Sequence, residues 1–540
     1  MDAGRIIGNS RSQSVSKSHE QVMQPSQPLT EVPRHVLSSI SESELATRLA
    51  SRNMKPLFFR DARINSLDSV YAKAFERFSS RPDFNPPSIV VSCHRADSME
   101  GHKGWGDLAF GRKISEAMLR RFPGCQVTLV GGAKIEPRQK EIAQTILGVD
   151  GVTAIFIDEN QKDKESGALA RAAAQKADVH IVGPSEMVED LIDHIDQSSV
   201  RITEYASNTC MNNQLPEPPV KTGLFGAGVF VESPPQVSRT PESAMIRHYI
   251  GETIPYCGFE LPANGLYFTY NSHDPAGTIL ALAAMHNSVA GDIKLVCRLG
   301  PQGKELFAQG QDDGLLHNLN SKGINKVVVV SQNQKRVYAT GSDLPGAKTL
   351  YLLDPFPLSD RDIHLLVAGS GPLTGTSGDV SFSEVLASGK LPIPHETQKS
   401  DIKHDLLALT KALLGDDHPT VKYVQKASAW HSLPAWQLRQ VYEADPDTDM
   451  ASSDSGLAAL INDPNKRAKI AEGIGTLLGV INSHYSLEHY LHGQVCKTLL
   501  HKKFPELAGY HQDLVMDKSL TQEERKVKLQ QYCTEMMGPA

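Results

Sequence analysis

Short uninterrupted apolar runs alternate with helical periodicities through the middle of this chain. Ser88-Ile89-Val90-Val91-Ser92 has the pattern of a strand buried on both faces. Leu108, Phe110, Ile114, Met118, Leu119 and Phe122 then recur at helical spacing, stopped by Pro123 and Gly124. The same reading predicts strands over 126–130, 153–157 and 179–184, and helices over 136–147, 164–176 and 186–195. Short strands alternating with longer helices call for βαβ units and a parallel sheet.

The rhythm breaks at 208–241, where Pro216, Pro218, Pro219, Pro234 and Pro235 crowd a stretch rich in Gly and Asn. It resumes with strands predicted over 266–270, 293–297, 326–330 and 348–353, and helices over 276–286, 359–368 and 381–388. From Ile402 the pattern is mostly helical, with a polar break at 445–455. Residues 1–45 carry small polar residues with little to bury. The expected organisation is a disordered leader (1–45), an α/β domain (46–210), a linker (211–260), a second α/β domain (261–400) and a helical C-terminal region (401–540).

Composition narrows the function classes. At about 150 residues per domain, 540 residues suit three to four domains. Hydrophobic residues are 40% and charged residues 22%, ordinary for a soluble globular protein. A net charge of -7 supplies no global field for nucleic acid. Seven scattered cysteines with no CxxC pair argue against a disulfide framework or a zinc knuckle and fit a reducing compartment. No apolar run approaches the roughly 20 residues that span a bilayer, and no secretory h-region opens the chain. The expected location is cytoplasmic, or a host cell reached without a cleaved signal peptide; the Ser/Gln-rich leader suits either.

The most informative segment is 371–392. It reads as a glycine-containing loop opening a helix whose first turns carry Asp379, Ser381, Ser383 and Glu384. Glycines let backbone approach a ligand, and unpaired amides at a helix start attract an anion. Glu384, one turn on, is placed to accept sugar or ribose hydroxyls. A capped helix after a glycine turn, with Asp379 or Ser381 as cap and no ligand, explains the same residues.

Ser383-Glu384-Val385-Leu386-Ala387-Ser388-Gly389-Lys390-Leu391-Pro392-Ile393 resembles the E-A-L-A-x-G-x-P-V segment of glycosyltransferases with the GT-B fold. Leu353 to Leu358 and Asp362 to Leu366 fit that family's strand end, loop and helix. The chain is also similar to bacterial protein-arginine rhamnosyltransferases. Their R-G-E-D-S-F stands here as Thr376-Ser377-Gly378-Asp379-Val380-Ser381-Phe382, with the acidic residue displaced by one position. Their loop D-N-Y-G-D-I-G aligns with Lys103-Gly104-Trp105-Gly106-Asp107-Leu108-Ala109, Lys103 standing where the family has its first Asp.

The resemblance implies two Rossmann-like parallel-sheet domains facing a cleft, with a helical C-terminal extension and a disordered N-terminus. It implies transfer of a sugar from a nucleotide-activated donor to an acceptor, either a protein side chain or a glycan. The donor would meet Thr376, Ser377, Gly378, Asp379, Ser381, Glu384 and His273. Asp107 would act as base or orient the acceptor, with Gly104 and Gly106 in the acceptor loop. The family implies no metal and no cofactor beyond the nucleotide-sugar co-substrate. Asp107 also reads as N-cap of the 108–122 helix. The alternative function is a non-catalytic interaction or effector protein on an α/β scaffold; a sugar epimerase or a phosphorylase shares the architecture.

Other motifs point less far. Thr222 to Val229 is glycine-rich without the GxGxxG order, so it reads as a hinge loop or a cleft-lining loop. Asn271-Ser272-His273-Asp274 ends a strand, where doubly wound sheets bind ligands. Cys93 and His94 invite a nucleophile reading, without an orienting partner in the sequence. Asp445 to Asp449 starts like a calcium loop, but Met450 stands where Gly is needed and Gly456 where the bidentate Glu belongs. Trp430 and Trp436 read as core anchors.

Overall fold

The computed structural model describes residues 44, 47–48, 67–95, 105–134, 140–160, 164–183, 188–196, 198–203, 220–230, 240–251, 265–270, 278–279, 282–283, 291–299, 314–331, 334–339, 347–371, 373–376, 379–394, 400–429, 459–460 and 463–537. The leader apart from Glu44, the acidic stretch 445–449, Trp430, Trp436 and most of the 276–286 helix lie outside the described residues.

Helix α1 (Asp68–Ser79) precedes the first sheet. That domain runs β1 (Ser88–His94), α2 (Gly106–Arg121), β2 (Gln126–Ala133), α3 (Lys140–Leu147), β3 (Val152–Asp158), α4 (Lys164–Lys176), β4 (Val179–Val182), β5 (Val200–Thr203) and β6 (Val220–Lys221). All pairs are parallel and the strand order is β3-β2-β1-β4-β5-β6, the doubly wound order. Ile89, Val91, Leu129 and Ile181 are buried in it, so the apolar runs are what a sheet covered on both faces requires. The helix expected over 186–195 is a 3-10 turn, Glu189–His194, with Leu191 as its buried residue. One inward side chain gives that segment no stripe to hold a longer helix.

The second domain contains α5 (Ala244–Tyr249), β7 (Leu266–Thr269), β8 (Ile293–Cys297), α6 (Gly314–Ser321), β9 (Ile324–Ser331), β10 (Gln334–Ala339), β11 (Lys348–Asp354), α7 (Asp360–Gly369), β12 (Leu373–Thr376), α8 (Asp379–Ala387) and β13 (Leu391–Pro394). The order is β10-β9-β11-β8-β7-β12-β13, parallel except for the β9–β10 pair. The expected glycine loop before α8 is therefore largely a buried strand. Leu373, Thr374, Gly375 and Thr376 are all buried, and what separates strand from helix is Ser377-Gly378, outside the described residues. Gly375 is glycine because a Cβ there would run into the Thr269 hydroxyl on β7 and close on Thr278. Strand packing, rather than room for a ligand, explains it.

Among the described residues two Rossmann-like, mostly parallel sheets thus organise the molecule. The C-terminal helices divide between them. Helices α9 (Ser400–Leu414), α10 (Pro419–Ala429) and α11 (Pro464–His484) bury Leu409, Tyr423, Ile470, Leu477 and Ile481 in the core of the second sheet. Helices α12 (Leu487–Lys503), α13 (Pro505–Met516) and α14 (Gln522–Met537) return to the first, where Leu491, Val495, Leu507 and Leu529 share a core with Tyr71 and Phe75 of α1.

The crossing from one core to the other occurs at Tyr485-Ser486, against the glycine-rich segment 222–229. The Val229 N–H donates to the Tyr485 carbonyl at 2.7 Å, and the Leu487 N–H donates to the Val229 carbonyl at 2.8 Å. Gly228 has φ +97°, and a Cβ on it would strike the Tyr485 carbonyl. These glycines serve a close backbone crossing. No described helix is long and apolar enough to cross a membrane.

Candidate functional site

Each sheet has a place where neighbouring strands send their onward connections in opposite directions. In the first sheet β2 and β3 lie on one side of β1 and β4 to β6 on the other; in the second, β8 lies on one side of β7 and β12 on the other. Helix amides and strand ends converge at such switch points, where doubly wound folds bind ligands. The helices α2 and α8 bound these two places and pack against each other.

At the second switch point, Glu384 sits on α8 beside the end of β7. Its Oε2 accepts a hydrogen bond from the Tyr270 hydroxyl at 2.6 Å. Its Oε1 lies 3.0 Å from the Lys113 ammonium, which comes from α2 of the other domain. Burial on its own would raise the Glu384 pKa. The Lys113 charge, the Tyr270 hydrogen bond and His364 outweigh it and hold the carboxyl below its ordinary value. The residue is ionised at the seam. Val380, one turn earlier on the same face, packs against the core of the first domain, whose margin includes Trp105.

The predicted residues fall as follows. Thr376 ends β12 and is buried; Asp379 is the first residue of α8; Ser381 and Ser383 are buried within that helix. Ser381, in the helix proper, is therefore not its cap. Ser377, Gly378, His273 and Gly104 lie outside the described residues. Gly106 opens α2 and is exposed; Asp107, half-buried, lies in its first turn. The cap position belongs to Trp105, so Asp107 is not the N-cap. Gly106 and Asp107 carry no apolar signal, which is why periodicity starts the helix late.

At the first switch point the ends of β1 and β3 gather further polar groups. His94 Nε2 is 3.0 Å from Glu159 Oε2, with both side chains almost covered. Arg95, 2% exposed, places its guanidinium 3.9 Å from the centre of the Trp105 ring. Ser92 and His180 Nε2 are 2.9 Å apart inside the sheet, and burial pushes that histidine down to about 4. Cys93 is fully buried, and burial with the charge of Asp107 pushes its thiol far up. It is no nucleophile.

Lys113, Arg95, Glu159 and Tyr270 were not picked out from sequence. Lys113 did leave a trace: it stands at helical spacing between Phe110 and Ala117, a charge on an apolar face. Arg298, exposed directly after β8 at the same carboxyl edge as Tyr270, is a further cation the motifs passed over. Among the described residues no three His, Cys, Asp or Glu side chains gather as a metal site.

No protein-family profile and no curated protein matches the sequence. Solved structures overlap it weakly. Anabaena HepE in complex with UDP and glucose is 11% identical with TM-score 0.35, covering 77% of this chain and 99% of its own. A mutant of the Thermobaculum terrenum O-GlcNAc transferase is 10% identical with TM-score 0.30, covering 81% and 82%. Acinetobacter baumannii MurG is 11% identical with TM-score 0.28, covering 74% and 100%.

Proposed function

We propose that the chain is a glycosyltransferase that moves a sugar from a nucleotide-activated donor to a protein side chain. The supporting observation is Glu384: an ionised carboxylate on the helix beside the second sheet's switch point, held where the two domains meet. In this reading the backbone at 377–379 and the start of α8 meet the donor diphosphate, helped by Thr376 and by Asp379 and Ser381 on donor hydroxyls. The helix start stabilises the charge that grows on the leaving group and takes the place of a metal. Glu384 accepts the donor's hydroxyl groups, together with His273. Across the seam Asp107, in the first turn of α2 beside Gly104 and Gly106, takes the proton of the acceptor or orients it.

The test is incubation with UDP-glucose, UDP-N-acetylglucosamine and dTDP-rhamnose, following thermal stability and nucleotide release. One donor is expected to stabilise the protein, by about 2.7 kcal/mol at a hundredfold excess over its dissociation constant. Asp379→Ala and Glu384→Gln are expected to remove that stabilisation. Asp107→Asn is expected to leave donor binding intact and slow transfer by roughly 10²- to 10⁴-fold. If no donor stabilises the protein, the interaction-scaffold reading takes its place.

A further inference from the structure

Glu384 is held from two directions that belong to different domains. Tyr270 follows β7 in the same domain and hydrogen-bonds one carboxylate oxygen; Lys113 reaches from α2 of the other domain to the second oxygen. The Lys113 side chain is 6% exposed and that of Glu384 16%, so the pair is largely covered in the seam. An ionised carboxylate has about four acceptor positions, and these two donors need one each. The remainder are not needed by either contact, and a ligand hydroxyl that donates to them would leave both in place. Breaking the pair by removing the lysine would instead leave a covered carboxylate without its main countercharge.

We propose that Lys113 is a positioning residue for the donor: from the opposite domain it fixes the Glu384 carboxylate, so that donor binding and docking of α2 on α8 are one linked equilibrium. The inference rests on the glycosyl-transfer reading for the identity of the ligand, and on the seam alone for the docking. A ligand that uses Glu384 in the docked arrangement binds that arrangement better, and by reciprocity holds the domains docked. Val380, on the same face of α8 as Glu384, adds an apolar contact to the same docking.

The experiment uses the full chain with Lys113→Met, Lys113→Arg and the charge-neutral double variant Lys113→Met/Glu384→Gln, each checked for folding by circular dichroism. Small-angle scattering without ligand reads the docking; titration with UDP-glucose, UDP-N-acetylglucosamine and dTDP-rhamnose well below the melting temperature reads donor affinity. Lys113→Met is expected to expand the molecule and weaken donor binding about 5- to 150-fold, the usual range for coupled sites, with Lys113→Arg recovering much of both. A purely stabilising lysine would lower the melting temperature and leave the affinity of the folded protein unchanged, which overturns the proposal. Should Lys113→Met prove unfolded, the double variant, with no stranded charge, decides the docking by scattering alone, because Glu384→Gln removes donor binding by itself: an expanded molecule supports the proposal and an unexpanded one overturns it. If wild type binds none of the three donors, the glycosyl-transfer reading fails; scattering still decides the docking, where an unexpanded Lys113→Met protein overturns it.

Discussion

His180, His492, His501 and His511 have pKa values pushed down to about 4, 4, 4 and 3, with burial the largest cause in each. Two of them share one partner: the Tyr71 hydroxyl is 2.9 Å from His501 Nε2 and 2.8 Å from His511 Nδ1, tying α1 to α12 and α13. Because the folded values lie below the ordinary 6.5, the unfolded chain binds more protons as pH falls beneath 6.5. Stability from these groups is therefore complete above about pH 6.5 and is lost progressively toward pH 4. Depressed carboxylates such as Glu384 and Glu488 act in the same direction at lower pH, below their ordinary 4.5. Urea midpoints measured between pH 4.5 and 6.5 should rise with pH, and His501→Gln with His511→Gln should flatten the slope; a midpoint constant over that interval would refute the account. The same scale shows what sequence could reveal about the site. Glu384 stood out because its neighbours form a segment with a recognisable order. Lys113 did not, because a lysine within a helix is ordinarily solvated and its burial depends on a second domain. Gly375 attracted attention for the wrong reason: its missing side chain makes room for Thr269. Gly375→Ala should cost about 1–3 kcal/mol by overpacking, seen in denaturant unfolding, whether or not any ligand is present.

Elements were legible where a whole face is buried by local periodicity. β1, β2, β3, β4, β8 and β11 are runs of Val, Ile and Leu, and α2, α4 and α7 carry apolar residues at helical spacing, so their existence followed from sequence. β5, β6, β12 and β13 did not. β6 spans two residues, and β12 reads Leu-Thr-Gly-Thr, buried by its neighbours rather than by its own apolar content. β10 escaped because Gln334 to Ala339 is largely polar and pairs at the sheet edge, antiparallel to β9. Helix starts follow local chemistry more closely. The Ser486 hydroxyl accepts from the His489 N–H at 3.4 Å and begins α12 directly after the crossing at Tyr485. Ser486 is almost fully buried, so water cannot replace that acceptor. Ser486→Ala should cost about 1 kcal/mol, within the usual 0.5–2 for a lost cap, read as a lowered urea midpoint with an unchanged slope. Full retention of stability would show that the cap bond contributes nothing here.

At the scale of the molecule, periodicity foretold two α/β units followed by helices, but gave no sign of how the helices divide. Their allocation is a tertiary property: α11 is buried with the second sheet and α12 with the first, and what separates them is the step from His484 to Leu487. That step is clamped by 222–229 through the paired hydrogen bonds between Val229 and the residues flanking Ser486. Two covalent strands of chain therefore pass between the domains at one place, held backbone to backbone, while α2 and α8 meet elsewhere at Lys113 and Glu384. Gly228 is the residue on which the crossing depends, since its φ of +97° suits glycine and a side chain would collide with the Tyr485 carbonyl. Gly228→Val should push the two strands apart and remove the hydrogen bonds at Val229, at the border where Val229 and Tyr485 belong to one core and Leu487 to the other. Since the domains would then share less structure, calorimetry should resolve two unfolding transitions where one is expected of wild type, with tryptophan and far-ultraviolet signals no longer coincident. A variant that melts in one coincident transition at the wild-type temperature would show that the crossing is a passive connection, and that the Lys113–Glu384 seam alone makes the domains act together.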